Sequence, residues 1–355
     1  MEPEDPIAEL LKSYNELNPS SIDELDEEPS PLEFMRYVSR NTPFVIRAGA
    51  QDWTATQQWS ASYLRSALAG HTVNVAVTPF GNADAPTPYD AQSGGEGESL
   101  LFAKPHEEDQ GFEDFLNYVI QQEKDEKGAE GEVRYAQTQN DNLRHEYISL
   151  FSQVQRSIAF ARIALQKDPD AINLWVGNSR SVTALHRDNY ENIYVQIAGQ
   201  KHFVLLPALF QPCVNERELT SASYIRRPHR GNNSGDKEES DDSTGQQPLD
   251  LHKDEDESTV PFATWDPDDP DKRPTAYSHL AAPVRVTLNP GDMLYLPAMW
   301  YHKVSQSCSE DGICVAVNYW YDMEFSGPLY SLCSFVRNVG LSQQKNPSQE
   351  DRAET

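Results

Sequence analysis

Cysteine is scarce in this chain: Cys213, Cys308, Cys314 and Cys333 are the only four, and no two form a C-x-x-C pair. That excludes a disulfide framework and a paired-thiolate zinc module, and it reads as free thiols in a reducing compartment. Long apolar runs are also missing. No stretch of about 18 apolar residues occurs, which excludes a membrane-spanning helix. The opening "MEPEDPIAELLKSY" has neither the basic nor the apolar region of a signal peptide. Positive charge is in short supply, with 29 Lys and Arg against 56 Asp and Glu and a net charge of -27. A phosphate backbone is therefore excluded as the main partner, and basic partners are favoured. The expectation is an intracellular protein, cytoplasmic in preference to nuclear, without nucleic acid or membrane.

Several catalytic signatures are absent as well. "LHRDNYEN" (185–192) imitates a protein-kinase catalytic loop, but that motif places its Asn five residues after the Asp, and Asn192 is four after Asp188. No D-F-G occurs, and the one Gly cluster, "SGGEGES" (93–99), lacks phosphate-loop spacing. No H-E-x-x-H is present, and no Ser or Cys sits in a recognisable nucleophile motif, which argues against a protease. His186 therefore needs a different explanation.

What is present changes character along the chain. The N-terminal half reads as helices with strand insertions. Ile7, Leu10, Leu11, Tyr14 and Leu17 recur at helical spacing, Ser30-Pro31 caps a helix over "PLEFMRYVSR", and Ser60 to Gly70 reads as another. "PFVIRAG" (43–49) and "TVNVAVTP" (72–79) read as strands, 81–99 as a loop and 112–124 as an amphipathic helix. From 172 onward short strands follow at regular spacing: "INLWVG", "VTALHRD", "ENIYVQIAG", "KHFVLLP", then "VRVTL", "MLYLP", "HKVSQ" and "CVAVNYWY". This pattern predicts a mainly β sandwich or barrel with flanking helices. Between Gly231 and Asp271 there are 14 acidic residues against two Lys. Residues 229–259 are expected to form a disordered acidic insert inside one domain, because neither half would close a barrel alone. The division expected is an acidic segment over 1–29, a catalytic domain over 30–325, and a C-terminal helix and polar tail over 326–355.

His186 and Asp188 stand at i and i+2 on a predicted strand, so both side chains face the same way. They could meet one metal ion, or form a surface ion pair beside a turn. A second His on a neighbouring strand would complete the two-His-one-carboxylate triad of non-haem iron oxygenases, which leaves coordination sites open for a co-substrate and O₂. His302, after "NPGDMLYLPAMWY", is the candidate, with a half-buried core histidine as the alternative. Lys201, at the start of the next apolar run, is either an exposed turn lysine or the partner of an anion. Thr183 lies three residues before His186, so alternation alone points it to the other face, and a local bend would be needed to bring it round. Tyr135, Asn192 and Asn318 offer further polar contacts.

"SVTALHRDNYENIYVQIAGQKHFVLLPA", "GDMLYLPAMWYHKV" and "CVAVNYWYDMEF" resemble the Jumonji-C family of Fe(II)- and 2-oxoglutarate-dependent oxygenases, within its branch of small cupin-like lysyl (3S)-hydroxylases. The resemblance covers about residues 30–340 apart from the insert. It implies a double-stranded β-helix, the cupin or jelly-roll core. It implies that His186, Asp188 and His302 hold iron and that Lys201 binds the distal carboxylate of 2-oxoglutarate. Thr183 and Tyr135 would be its hydroxyl-bearing partners, with Asn192 and Asn318 near its iron-bound end. The implied reaction hydroxylates a lysine at C3 in a translation-associated GTP-binding protein, with O₂ as co-substrate and succinate and CO₂ released. A basic, lysine-containing substrate segment and a homodimer through the C-terminal helix are implied with it. Two alternatives stand beside it: a histone lysine demethylase, although no zinc or reader module is found, and a metal-binding cupin without catalysis.

Overall fold

The computed structural model describes residues 5–89, 99–125, 131–227 and 247–345. Eight strands form its centre: β1 (Ala171–Gly177), β2 (Thr183–Arg187), β3 (Tyr190–Ala198), β4 (Gln200–Leu206), β5 (Val284–Leu288), β6 (Met293–Leu296), β7 (Tyr301–Ser307) and β8 (Cys314–Asp322). One sheet runs β6-β3-β8-β1 and the other β5-β4-β7-β2, with every pairing antiparallel. Consecutive strands alternate largely between the two sheets, and the result is a double-stranded β-helix of the cupin type.

The period of two explains how these strands hold a site. In β3, Ile193, Val195 and Ile197 join the large cluster under the N-terminal helices, while Asn192, Tyr194 and Gln196 point between the sheets. In β8, Val315, Val317, Tyr319 and Tyr321 face the helices, leaving Ala316, Asn318 and Trp320 on the interior side. In the other sheet Phe203 and Leu205 of β4, Val284, Val286 and Leu288 of β5, and Val304 of β7 fill the space between the sheets. Lys201 and His302 occupy inward positions on the same strands. The sheet β6-β3-β8-β1 thus buries both faces, whereas the outer face of the other sheet carries polar residues, among them His202, Arg285, Thr287, Lys303 and Ser305.

The helices meet the sequence expectations closely. Pro31–Arg40 starts at Ser30, whose side chain accepts from the Glu33 N–H while the Glu33 carboxylate accepts from Ser30, a reciprocal cap. Ala61–Ala67 is capped by Ser60, and Phe112–Lys124 buries Phe115, Leu116 and Val119. The C-terminal helix, expected within 326–355, is Pro328–Lys345 and buries Cys333 and Val336. No described helix is long and apolar enough to cross a membrane.

Three expectations need correction. The acidic segment over 1–29 is not separate from the domain. Its helix, Pro6–Leu17, buries Ile7 and Leu11 against Phe210 and Tyr301, and Asp23–Leu25 pairs in parallel with Phe44–Ile46 to extend a core sheet. Ala85–Tyr89, expected as loop, is a strand at a sheet edge, where Pro86 and Pro88 at alternate positions need give up no ladder donor. The disorder expected over 229–259 is contradicted in its last third. Leu249–Lys253 pairs with Glu216–Arg226, Asp250 receives Arg227 at 2.7 Å, and Thr259–Ala263 adds a further strand. Composition reads average charge and is blind to an available sheet edge. Residues 229–246 of that expectation lie outside the described residues.

Gly199 turns the chain from β3 into β4 and so from one sheet to the other. Its φ is +70, and a Cβ there would lie 2.5 Å from the Ser307 carbonyl oxygen. Gly199→Ala is expected to lower the unfolding free energy by about 1–3 kcal/mol, seen as a lower urea midpoint with an unchanged slope. An unchanged midpoint would contradict this geometry.

Candidate metal centre

β2 and β7 are neighbours, and their register places His186 directly opposite His302. The two imidazole centroids lie 4.1 Å apart. Asp188 follows one residue past the end of β2, in the turn to β3, rather than on the strand as expected. Its backbone carbonyl accepts from the Met299 N–H at 2.7 Å, which fastens this turn to the one leading into His302. Asp188 Oδ2 stands 3.7 Å from His186 Nε2 and 3.6 Å from His302 Nε2.

These separations exceed a hydrogen bond, so the three groups converge without satisfying one another. Both Nδ1 atoms are accounted for: His186 Nδ1 donates to the Ala184 carbonyl at 2.8 Å and His302 Nδ1 to the Trp300 carbonyl at 3.1 Å. A carbonyl only accepts, so each ring carries its proton on Nδ1 and turns a lone pair on Nε2 towards Asp188. Burial, with His186 adding, pushes His302 down to about 4 against the pull of Asp188, which keeps it neutral at physiological pH. Two imidazoles and one carboxylate, with ligand atoms all within 4.8 Å of one another, are a donor set that fits a divalent transition metal.

The expected bend at Thr183 is present. Between the pairs His186–His302 and Thr183–Val304, two residues on β2, Ala184 and Leu185, oppose one on β7, Lys303, which is a β-bulge. The extra residue returns Thr183 to the face of His186. All eight residues singled out from the sequence, Tyr135, Thr183, His186, Asp188, Asn192, Lys201, His302 and Asn318, line one cavity with about 40 Å³ of water-accessible space.

Lys201 is 3% exposed, and among the described residues no carboxylate pairs with it. Its Nζ donates to the Tyr135 hydroxyl at 2.8 Å. Burial works against the ammonium, but Tyr135 and Tyr194 outweigh it and hold the pKa above the ordinary lysine value. A buried cation without a counter-ion is the chemical complement of an anionic ligand. Further along the wall, Trp175 Nε1 donates to Asn318 Oδ1 at 2.9 Å, and Asn318 Nδ2 to Asn192 Oδ1 at 3.2 Å.

The chain's comparisons with known proteins agree with this arrangement. A cupin-like domain matches residues 29–327. The lysine-specific demethylase JMJ32 of Arabidopsis thaliana is 35% identical over 344 residues, 94% of this chain and 91% of that protein. The human bifunctional peptidase and (3S)-lysyl hydroxylase JMJD7 is 35% identical over 309 residues, 86% of each chain. The JmjC domain-containing protein E of Dictyostelium discoideum is 31% identical over 329 residues, 90% of this chain and 89% of that protein. The chain belongs to the cupin-like JmjC family. JmjC oxygenases use Fe(II) and 2-oxoglutarate, and the His–Asp–His cluster is compatible with that metal.

The sequence reading missed Trp175, Tyr194 and Trp320 in this JmjC cavity. The signal was there: each stands two residues from an inward-facing Asn (Asn173, Asn192 and Asn318), so alternation alone places it inside. It missed Glu191 too. This buried carboxylate accepts from the Tyr295 hydroxyl at 2.7 Å and the Ala298 N–H at 3.1 Å, and it holds the loop before His302.

Burial raises the Glu191 pKa, and the two donors only partly offset it. An acid whose folded pKa lies above its unfolded value binds more protons when folded, so its contribution to stability falls as pH rises through that interval. Glu191→Gln keeps the acceptor oxygen and removes the charge. The variant is expected to be at least as stable as the parent at neutral pH, with the gap closing as pH is lowered towards about 4.5, in paired urea titrations. A gap that widens on acidification would contradict a raised Glu191 pKa.

Proposed function

We propose that the chain is an Fe(II)- and 2-oxoglutarate-dependent dioxygenase that hydroxylates a protein side chain, a lysine at C3. One observation carries this reading. A buried lysine without a counter-ion among the described residues and a two-His-one-carboxylate donor set line the same cavity, which suits a dicarboxylate that reaches from one to the other.

In this reading His186, Asp188 and His302 hold the metal by one face and leave its other positions free. Lys201 and the Tyr135 hydroxyl take the distal carboxylate of 2-oxoglutarate, with the Thr183 hydroxyl beside them. Asn192 and Asn318 present amides to the end nearer the metal, and the hydrogen bond from Trp175 fixes the Asn318 side chain. Tyr194, Phe203 and Val304 keep the cavity wall largely free of water. Bound iron supplies activation of O₂ and oxidation of an unactivated C–H bond, coupled to conversion of 2-oxoglutarate into succinate and CO₂. No protein acid or base is required at the reacting carbon. What the chain contributes is position, charge and exclusion of solvent.

The lysyl target is supported by the relative named as a (3S)-lysyl hydroxylase and by the acidic character of the chain, which favours a basic segment of a translation-associated GTP-binding protein. Demethylation of a methyl-lysine is the second reading, because a relative named as a demethylase is equally similar. Pairing of two copies through the C-terminal helix is supported by the exposure of Leu332 and Phe335 on it.

Anaerobic addition of Fe(II) and 2-oxoglutarate to the metal-free protein is expected to produce a visible metal-to-ligand charge-transfer band. His186→Ala should abolish it, and Lys201→Ala should weaken 2-oxoglutarate binding by about 10- to 100-fold. A well-folded parent protein without the band would sink the oxygenase reading and favour a metal-binding cupin without catalysis. Mass spectrometry of treated peptides then separates the two reactions, since hydroxylation adds one oxygen and demethylation removes a methyl group.

A further inference from the structure

Outside the interior cavity lies an open groove with about 2160 Å³ of empty space, solvent included. Groove and cavity share His186, Asp188, Thr183, Trp175 and Gln139, so the groove leads to the metal-facing side chains. Asp84 lines the groove and not the cavity. It stands at the bend that opens the edge strand Ala85–Tyr89, with φ +52, a left-handed conformation that Asp and Asn tolerate better than other side chains.

The Asp84 carboxylate is half-buried and accepts one hydrogen bond, from Gln137 Nε2 at 3.3 Å. Among the described residues no cationic side chain forms an ion pair with it. The nearby Lys104 is taken by Asp254 at 2.6 Å. Of the groove's two arginines, Arg337 donates to Glu216 at 2.7 Å, and Arg187 lies over the Tyr301 ring at 5.4 Å and, among the described residues, makes no ion pair with Asp84. Burial raises the Asp84 pKa, with His186 opposing and Glu107, also on the groove, adding to the rise. The site is therefore anionic, sheltered and short of a positive partner.

We infer that Asp84 grips the ε-ammonium of the substrate lysine and so selects lysine over an uncharged side chain of the same length. The inference rests on the lysyl-hydroxylase reading and deepens it. Reaction at C3 needs the side-chain terminus held away from the metal, whereas demethylation needs the nitrogen itself brought to the metal. A carboxylate on the groove that His186 also lines, outside the co-substrate cavity, suits the first arrangement. A charge-assisted hydrogen bond to an ammonium in a sheltered site is among the stronger polar contacts available.

Asp84→Asn tests this cleanly. Asn accepts the same φ and can still receive the Gln137 bond, so a purely structural role is preserved. A synthetic peptide pool with one central lysine, and the same pool with norleucine in its place, is passed over immobilised parent and variant, and bound peptide is counted by mass spectrometry. The parent is expected to hold the lysine pool about 10- to 100-fold tighter than the norleucine pool, and the variant is expected to lose most of that ratio. A parent without lysine preference, or a variant that keeps it, overturns the inference. The Fe(II) and 2-oxoglutarate band is recorded on both preparations. Its absence from the parent overturns the oxygenase reading itself, whereas its presence with an unaltered lysine ratio in the variant overturns only the role of Asp84.

Discussion

The site depends on one strand pairing. β2 and β7 are bonded so that His186 and His302 face each other, and the bulge between them lets one extra residue into β2. In a strict ladder Thr183 would point outward with Leu185, into the cluster beneath the N-terminal helix. With the bulge it points inward beside the metal-facing groups. A one-residue slip of this pairing would invert every side chain on β2, sending His186 outward and Leu185 in. The register is held by burial on both faces. Leu185 and Tyr301 pack outside while Val304 packs within, and no slipped register satisfies all three.

Around that pairing the fold separates two tasks. The outer face of the sheet β6-β3-β8-β1 carries stability, through the apolar residues that face the helices. The inner face is more polar than a stable core needs, with Asn192, Asn318 and Lys201 all nearly inaccessible to solvent. Two of these satisfy each other in the chain Trp175–Asn318–Asn192. Lys201 is the exception, since among the described residues no carboxylate faces it. A buried cation without a counter-ion is best understood by what it binds. The same logic extends to Asp84 on the groove, where the unmatched charge has the opposite sign. One of these charges lines the cavity and the other the groove, and cavity and groove share His186 and Asp188.

Much of this was legible in the chain itself. The β region was readable because its strands are short and alternate, and because turn residues separate them. The helix at Pro31 was readable from Ser30 and Glu33, whose hydrogen bonds are local. The metal-facing residues were readable because His186 and Asp188 are two apart and a His follows the predicted strand before it. Trp175, Tyr194 and Trp320 were passed over because aromatic residues in an apolar run look like packing until the inner face is known. The strands Ala85–Tyr89 and Leu249–Lys253 were unreadable for a different reason. Their prolines, charges and polar neighbours resemble loop, and only a partner strand from elsewhere in the chain gives their backbone groups a place to bond.

Residue order along the chain dictated which residue types alternate, where helices begin, and that two histidines, one aspartate and one lysine lie on neighbouring predicted strands. These are local properties, set by side-chain spacing and by bonds within a few residues. Packing in three dimensions added the rest: Thr183 turns inward, Lys201 lacks a counter-ion, Asp188 is fastened through Met299, and Asp84 stands on the approach to the site. Each of these depends on distant segments meeting across the barrel, and burial and charge balance are properties of that meeting rather than of any one segment.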